Sequence, residues 1–132
     1  GLSQLARLSQ FKARRNQIVT AYNQAFKDNE HLILPPKELA TEACPHLYPI
    51  QLTQGTKSRL ALYHALQKRD IHCQIHYIPI YWQPYYANKY GYAKGKCPQA
   101  ETYYSRTLSL PLYPAMTDPQ VQKVIEAVLA NL

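Results

Sequence analysis

LYPIQLTQGTKSRLALYHALQKRDIHCQIHY, residues 47–77, holds the pattern that decides the fold. Tyr48, Ile50 and Leu52 alternate with Leu47, Pro49 and Gln51, which is the period of a β-strand. Gln54-Gly55 reads as a turn. A helix follows through Arg69, with Leu62 and Leu66 on its core side and Thr56 or Ser58 placed to cap it. Asp70 stands where a glycine would commonly stop such a helix, although Asp tolerates the left-handed conformation less well. Ile71–Tyr77 then reads as a second strand. One helical crossover between two strands makes those strands run the same way.

Outward from this unit, Thr107–Leu110 reads as a third strand, closed by Pro111. An antiparallel sheet then needs this strand between the other two. The expected class is α+β, with a three-stranded antiparallel sheet in the order 1-3-2. That order leaves the Pro49 strand at an edge, which suits a residue that cannot donate to a ladder. Leu8, Phe11, Arg15, Ile18, Tyr22 and Phe26 fall three or four apart and mark one face of a long leading helix over residues 1–29. Lys12, Arg14 and Lys27 can point away from that face. Residues 30–132 form the α+β part, beginning with a short extended piece at Leu32–Leu34 that Pro35-Pro36 ends. Residues 37–45 and 78–96 read as loops, and Pro98 opens a short helix to about Arg106. Thr117 and Gln120 have capping-box spacing, with Pro119 in the first turn of the last helix. Val121, Val124, Ile125, Val128, Leu129 and Leu132 trace its apolar face. No internal repeat is visible.

The 132 residues suffice for one domain with a real core, and 46% apolar against 17% charged content excludes a disordered chain. No apolar run approaches a membrane span and no signal-peptide pattern opens the chain, so a cytoplasmic location is expected. The only methionine is Met116, so the chain is expected to be a piece of something longer. Cys44, Cys73 and Cys97 are an odd number at irregular spacing, which is no disulfide framework. His64, His72, Cys73 and His76 lie close in sequence, but Cys73 and His76 fall on opposite faces of a strand, and no metal site is expected. No base stands beside a cysteine to activate it; Cys73 reads as buried and inert, Cys97 as a helix-start residue.

The chemistry concentrates in HYIPIYWQPYY, residues 76–86, with one imidazole, five aromatic rings, two prolines and an amide. Buried Tyr hydroxyls and an indole N–H need polar partners, so a core strand has no use for this mixture. Two prolines prevent regular structure throughout. A stiff, ring-lined loop at a strand end suits a sugar or nucleotide. The net charge of +7 also fits an anionic partner, and Tyr85–Lys96 interleaves rings with lysines as single-strand binders do. A solvated basic loop explains that stretch at least as well. A stand-alone basic module for single-stranded nucleic acid or phosphorylated sugar is therefore the competing function.

This segment, with GLSQLARL at 1–8, HLYPIQL at 46–52 and LSLPLYP at 108–114 in the same order, resembles the DegT/DnrJ/EryC1/StrS family of PLP-dependent sugar aminotransferases. Within that family the resemblance is greatest to the pseudaminic acid pathway enzymes. It covers nearly the whole chain. It implies the small C-terminal domain of the aspartate-aminotransferase-like, fold type I architecture, with the catalytic large domain upstream. It implies PLP held by that large domain, glutamate as amino donor, a UDP-linked 4-keto-6-deoxy sugar as acceptor, and a homodimer. The family's imine-forming lysine lies upstream of the matched region, so no residue of this chain is expected to be catalytic. The residues the resemblance places on the substrate are His76, Tyr77, Tyr81, Gln83 and Tyr85, and the family usually carries His where Tyr81 stands.

Overall fold

The computed structural model describes residues 1–36 and 44–132. Part of the loop expected at 37–45 therefore lies outside the described residues. Helices α1 (Leu2–Leu5) and α2 (Leu8–Phe26) lead into strands β1 (Leu32–Ile33) and β2 (Tyr48–Leu52), then α3 (Thr56–Gln67). A 3-10 turn at Ile80–Trp82, α4 (Pro84–Tyr90), α5 (Pro98–Arg106), β3 (Thr107–Leu110) and α6 (Asp118–Leu129) follow.

The sheet is antiparallel and its order is β1-β2-β3. This corrects the expected order 1-3-2. Leu32–Ile33 is a true strand, paired with Leu52 and Gln51. Ile71–Tyr77 is not a strand; it makes a single antiparallel bridge, Gln74 to Ser109. The Pro49 strand is thus central, and proline is tolerated there for a local reason. Ser109 exchanges both backbone hydrogen bonds with Gln74, at 2.8 and 3.1 Å, so its polar groups point away from Pro49. Pro49 opposite Ser109 is then a non-hydrogen-bonded pair. Its nitrogen faces the side where β1 has already ended, and no ladder bond is lost.

Opposed residues of an antiparallel pair share a face. Tyr48 opposite Leu110 and Ile50 opposite Leu108 therefore line one face. They join Ile18, Tyr22 and Phe26 of α2, Leu62 and Leu66 of α3, and Val124 and Val128 of α6 in one core. The Tyr22 and Tyr48 rings lie 4.9 Å apart. Their hydroxyls donate to the Pro111 carbonyl at 2.9 Å and to Asn23 Oδ1 at 2.7 Å, which satisfies both buried phenols. Burial pushes the pKa of each well above the ordinary tyrosine value. Gln51, Thr107 and Ser109 occupy the opposite face. All four residues of β3 are buried, so both faces of that strand are covered.

Local chemistry shapes the ends of α6 and α3 to different degrees. The capping box forms at α6: Gln120 N–H donates to Thr117 Oγ1, and Thr117 N–H donates to Gln120 Oε1 at 2.9 Å. For α3 neither Thr56 nor Ser58 caps; the N-cap is Gly55 at φ 82°, and Ser58 turns back to Gln54. Asp70 does adopt the left-handed conformation, at φ 60°. The Ile71 and Asp70 amides then reach the Leu66 and Gln67 carbonyls, closing α3 as a Schellman turn. The stretch expected as loop over 78–96 contains the 3-10 turn and α4. Pro84 in the first turn of α4 and Gly91 at φ 65° after its end are the signals that mark it.

Candidate functional site

The ring-bearing segment leaves the sheet immediately after the Gln74–Ser109 bridge. Ser109 sits inside an apolar strand and is 4% exposed, so its hydroxyl needs a partner. It finds one in His76, whose Nδ1 lies 2.9 Å from Ser109 Oγ. The bond fixes the half-buried imidazole against the sheet and leaves Nε2 as the other polar atom of the ring. Tyr77 packs its ring edgewise on His76, with centroids 4.4 Å apart, and is 72% exposed. His76 and Tyr77 therefore form one unit: an anchored imidazole beside an exposed phenol.

Tyr81 and its neighbours form a second unit. Tyr81 is buried, and its hydroxyl donates to Glu101 Oε1 at 2.5 Å. The same oxygen accepts the Gly95 amide at 2.7 Å. Loss of water around the phenol, then the bond to Glu101, push the Tyr81 pKa up to about 12. The same hydroxyl, acting as donor, is the main cause that holds the Glu101 carboxyl below the ordinary carboxylate range. Trp82 lies edgewise between Tyr81, at 6.3 Å, and Tyr104, at 5.5 Å, with the Lys94 ammonium 4.9 Å over its ring. Behind Tyr104, the buried Arg59 guanidinium donates to the Tyr104 carbonyl at 2.6 Å, a cation at the C-terminal turn of α5.

Gln83 is the exposed N-cap residue of α4, and its side chain makes no capping bond. Tyr85, in the first turn of that helix, is 60% exposed, and its hydroxyl accepts from Lys89 at 2.8 Å. The rings continue as a stack, Tyr86 to Tyr90 at 6.3 Å and Tyr90 to Tyr92 at 5.4 Å. Lysines occupy the ring faces: Lys89 lies over Tyr85 and Tyr90, and Lys96 lies 3.9 Å over Tyr92. The basic-aromatic stretch is thus packed on itself.

Of the five residues singled out by sequence, His76 and Tyr77 touch each other, Gln83 stands at the N-cap of α4 and Tyr85 lies in its first turn, and Tyr81 faces inward. Sequence reasoning missed Ser109 and Glu101. A serine within LSLPL is a usable signal, because a buried hydroxyl in a strand must be bonded. Glu101 gives less warning, since an acid in a first helical turn is ordinarily a dipole complement. Cys73 is buried, which pushes its thiol up to about 12 and makes it a poor nucleophile; Cys97 is the N-cap of α5. Among the described residues no group of three metal-binding side chains is assembled, and no helix is long and apolar enough to cross a membrane.

PLP chemistry needs a lysine for the imine, a carboxylate for the pyridine nitrogen and a phosphate cradle. Lys89, Lys94 and Lys96 lie over rings, and Lys57, Lys68 and Lys123 are exposed. None of these six lysines stands in that constellation.

The profile of the DegT/DnrJ/EryC1/StrS aminotransferase family matches residues 1–129. The chain is 40% identical over 131 residues to the Bacillus subtilis spore coat polysaccharide biosynthesis protein SpsC, covering 97% of this chain and 34% of that protein. It is 34% identical over 131 residues to the Helicobacter pylori UDP-4-amino-4,6-dideoxy-N-acetyl-beta-L-altrosamine transaminase, covering 98% of this chain and 34% of that one. The solved structure of Helicobacter pylori PseC, an aminotransferase of pseudoaminic acid biosynthesis, superposes with a TM-score of 0.90 at 30% identity, over 98% of this chain and 35% of PseC. The chain thus spans about a third of the length of these relatives.

Proposed function

The chain belongs to the DegT/DnrJ/EryC1/StrS aminotransferase family, and on that premise we propose that it is the C-terminal third of a transaminase for a nucleotide-linked keto-sugar. Its architecture is that of fold type I aminotransferases. PLP, which family members use, carries the amino group from donor to acceptor when bound. In this reading the cofactor, its lysine and its phosphate cradle belong to the large domain. The present chain supplies one wall of the sugar site and is inactive alone. Glutamate is the donor, a UDP-linked 4-keto-6-deoxy sugar is the acceptor, and the whole enzyme is a cytoplasmic homodimer.

The observation that carries this reading is the His76–Tyr77 unit. An imidazole anchored by a buried serine, beside an exposed phenol, presents two fixed polar atoms and an apolar ring at a strand end. Such a surface orients a hydroxyl-rich ring without a charged clamp. Tyr77, Gln83 and Tyr85 are exposed and can add to the same wall. Tyr81 contributes by fixing the path of the loop and not by contact.

In the enzyme that contains this chain, His76→Ala lowers the keto-sugar half-reaction tenfold to a hundredfold, from about 1–3 kcal/mol of lost orientation. The glutamate half-reaction is spared, because a dicarboxylate needs a cationic clamp and residues 76–86 contain no arginine. Single-turnover kinetics on each half, with a thermal melt as control, measure this. Equal losses in both halves would make His76 a structural residue.

A further inference from the structure

We propose that Glu101 is the positioning residue of the ring-lined loop, tying both ends of the 79–97 excursion to the first turn of α5 through one oxygen. Tyr81 stands near the start of the excursion and Gly95 near its end. Glu101 Oε1 accepts from both, at 2.5 and 2.7 Å. The phenol has one proton to give, and the Cys97 carbonyl at 3.4 Å is a much poorer acceptor than the carboxylate. Bonds to an ionised acceptor are about twice as strong as neutral ones.

Gly95 reaches the carboxylate in a backbone conformation, φ +91°, that a side chain would strain. Thirteen residues, 82–94, lie between Tyr81 and Gly95, so the staple closes the excursion into a compact loop. That loop carries Gln83 and Tyr85, and Trp82 packs beside the staple. Glu101 therefore sets where these side chains stand without touching substrate. Its consequence for the sugar rests on the reading of this loop as the sugar wall.

Trp82 is the only tryptophan of the chain and packs on Tyr81, so tryptophan emission reports on the surroundings of the staple. In the full 132-residue chain, Glu101→Ala shifts Trp82 emission to the red. It also speeds tryptic cutting at Lys94 and Lys96 about tenfold, because cleavage follows the open population. Tyr81→Phe removes one of the two donors and gives the same change, smaller; it serves if the alanine variant fails to fold. Glu101→Gln keeps an accepting oxygen but no charge, so at neutral pH it gives a smaller change in the same direction, like that of the acidified parent chain.

The acid side separates a charged staple from simple packing. A carboxyl held below its ordinary pKa contributes above that ordinary value and is lost as pH falls through the lowered one. The parent chain therefore shows a Trp82 step on acidification, and Glu101→Gln lacks it. The groups packed around the carboxylate and the indole are Tyr81, Cys97, Lys94, Tyr104 and, behind it, Arg59. Side chains of these types do not ordinarily titrate in the acid range.

In the whole enzyme, Glu101→Ala raises the KM for the keto-sugar about tenfold or more and leaves the glutamate half-reaction within about twofold. Unchanged emission and cleavage in Glu101→Ala, or a retained acid step in Glu101→Gln, overturns the staple. An opened loop with unchanged keto-sugar kinetics leaves the staple standing and overturns the sugar-wall reading with its substrate consequence.

Discussion

Arg14 sits on α2 but belongs energetically to the approach of α6. Its Nε and Nη2 both donate to the Met116 carbonyl, at 3.1 and 2.6 Å, and Nη2 also lies 2.7 Å from Asp118 Oδ1. The guanidinium is 24% exposed and Asp118 is 88% exposed, so the two interactions differ in weight. A bond from a charged donor to a part-buried carbonyl is worth about 1.5–3 kcal/mol, and an ion pair to an exposed carboxylate about 0–1 kcal/mol. Arg14→Ala is expected to destabilise the chain by about 1–3 kcal/mol in urea denaturation, and Asp118→Ala by less than about 1 kcal/mol. Periodicity placed Arg14 among the residues that can point away from the apolar face of the leading helix. Spacing assigns a residue to a helical face, but it carries no information about which carbonyl lies within reach of that face. Ser109 and Glu101 escaped notice for the same reason, since their partners His76 and Tyr81 are distant in sequence.

At the scale of elements, helix ends were legible where the chemistry is local. Thr117, Pro119 and Gln120 lie within one turn, and their box forms as spacing requires. Pro98 opens α5 for the same reason. Asp70 shows a local rule accepted at a cost. It holds φ 60° at the end of α3, where Gly fits without a Cβ clash. Its carboxylate also lies 3.0 Å from His72, but both side chains are largely exposed and the pair adds little. Asp70→Gly is therefore expected to stabilise the chain, by roughly 0.3–1 kcal/mol once the entropy of glycine in the unfolded chain is set against the relieved strain. A higher denaturant midpoint at unchanged slope checks this; a lower midpoint would mean that the Asp70 side chain contributes more than its exposure suggests. Ile71–Tyr77 went the other way. Its β-like composition is real, but a strand exists only where a partner offers a ladder, and beside β3 only Gln74 meets one.

At the scale of the whole molecule, Leu2, Leu5 and Leu8 are exposed on the N-terminal part of the leading helices, while Ile18, Tyr22 and Phe26 are buried. One apolar stripe is thus covered by this core at one end only. Cofactor chemistry tests the division of labour that the proposed function implies. Pyridoxal phosphate mixed with the chain, followed by borohydride and peptide mapping, is expected to label no single lysine at stoichiometric yield. One specifically labelled lysine would place an imine-forming group in this chain. The α+β class, the α2 part of the helix expected over residues 1–29, the Tyr48–Leu52 strand though not its central place, and the composition of the ring-bearing segment were readable in the sequence, because each rests on periodicity, caps or composition within a few residues. The sequence by itself therefore determined β2, β3, α3, α5 and α6, and which stretch bears the polar rings. Only the tertiary structure decided that Leu32–Ile33 joins the sheet, that Pro49 sits at a gap in its ladder, and that Glu101 closes the loop on Tyr81 and Gly95. Those outcomes depend on which backbone and side-chain groups meet across long chain separations, and such meetings are selected by the packing of the whole core.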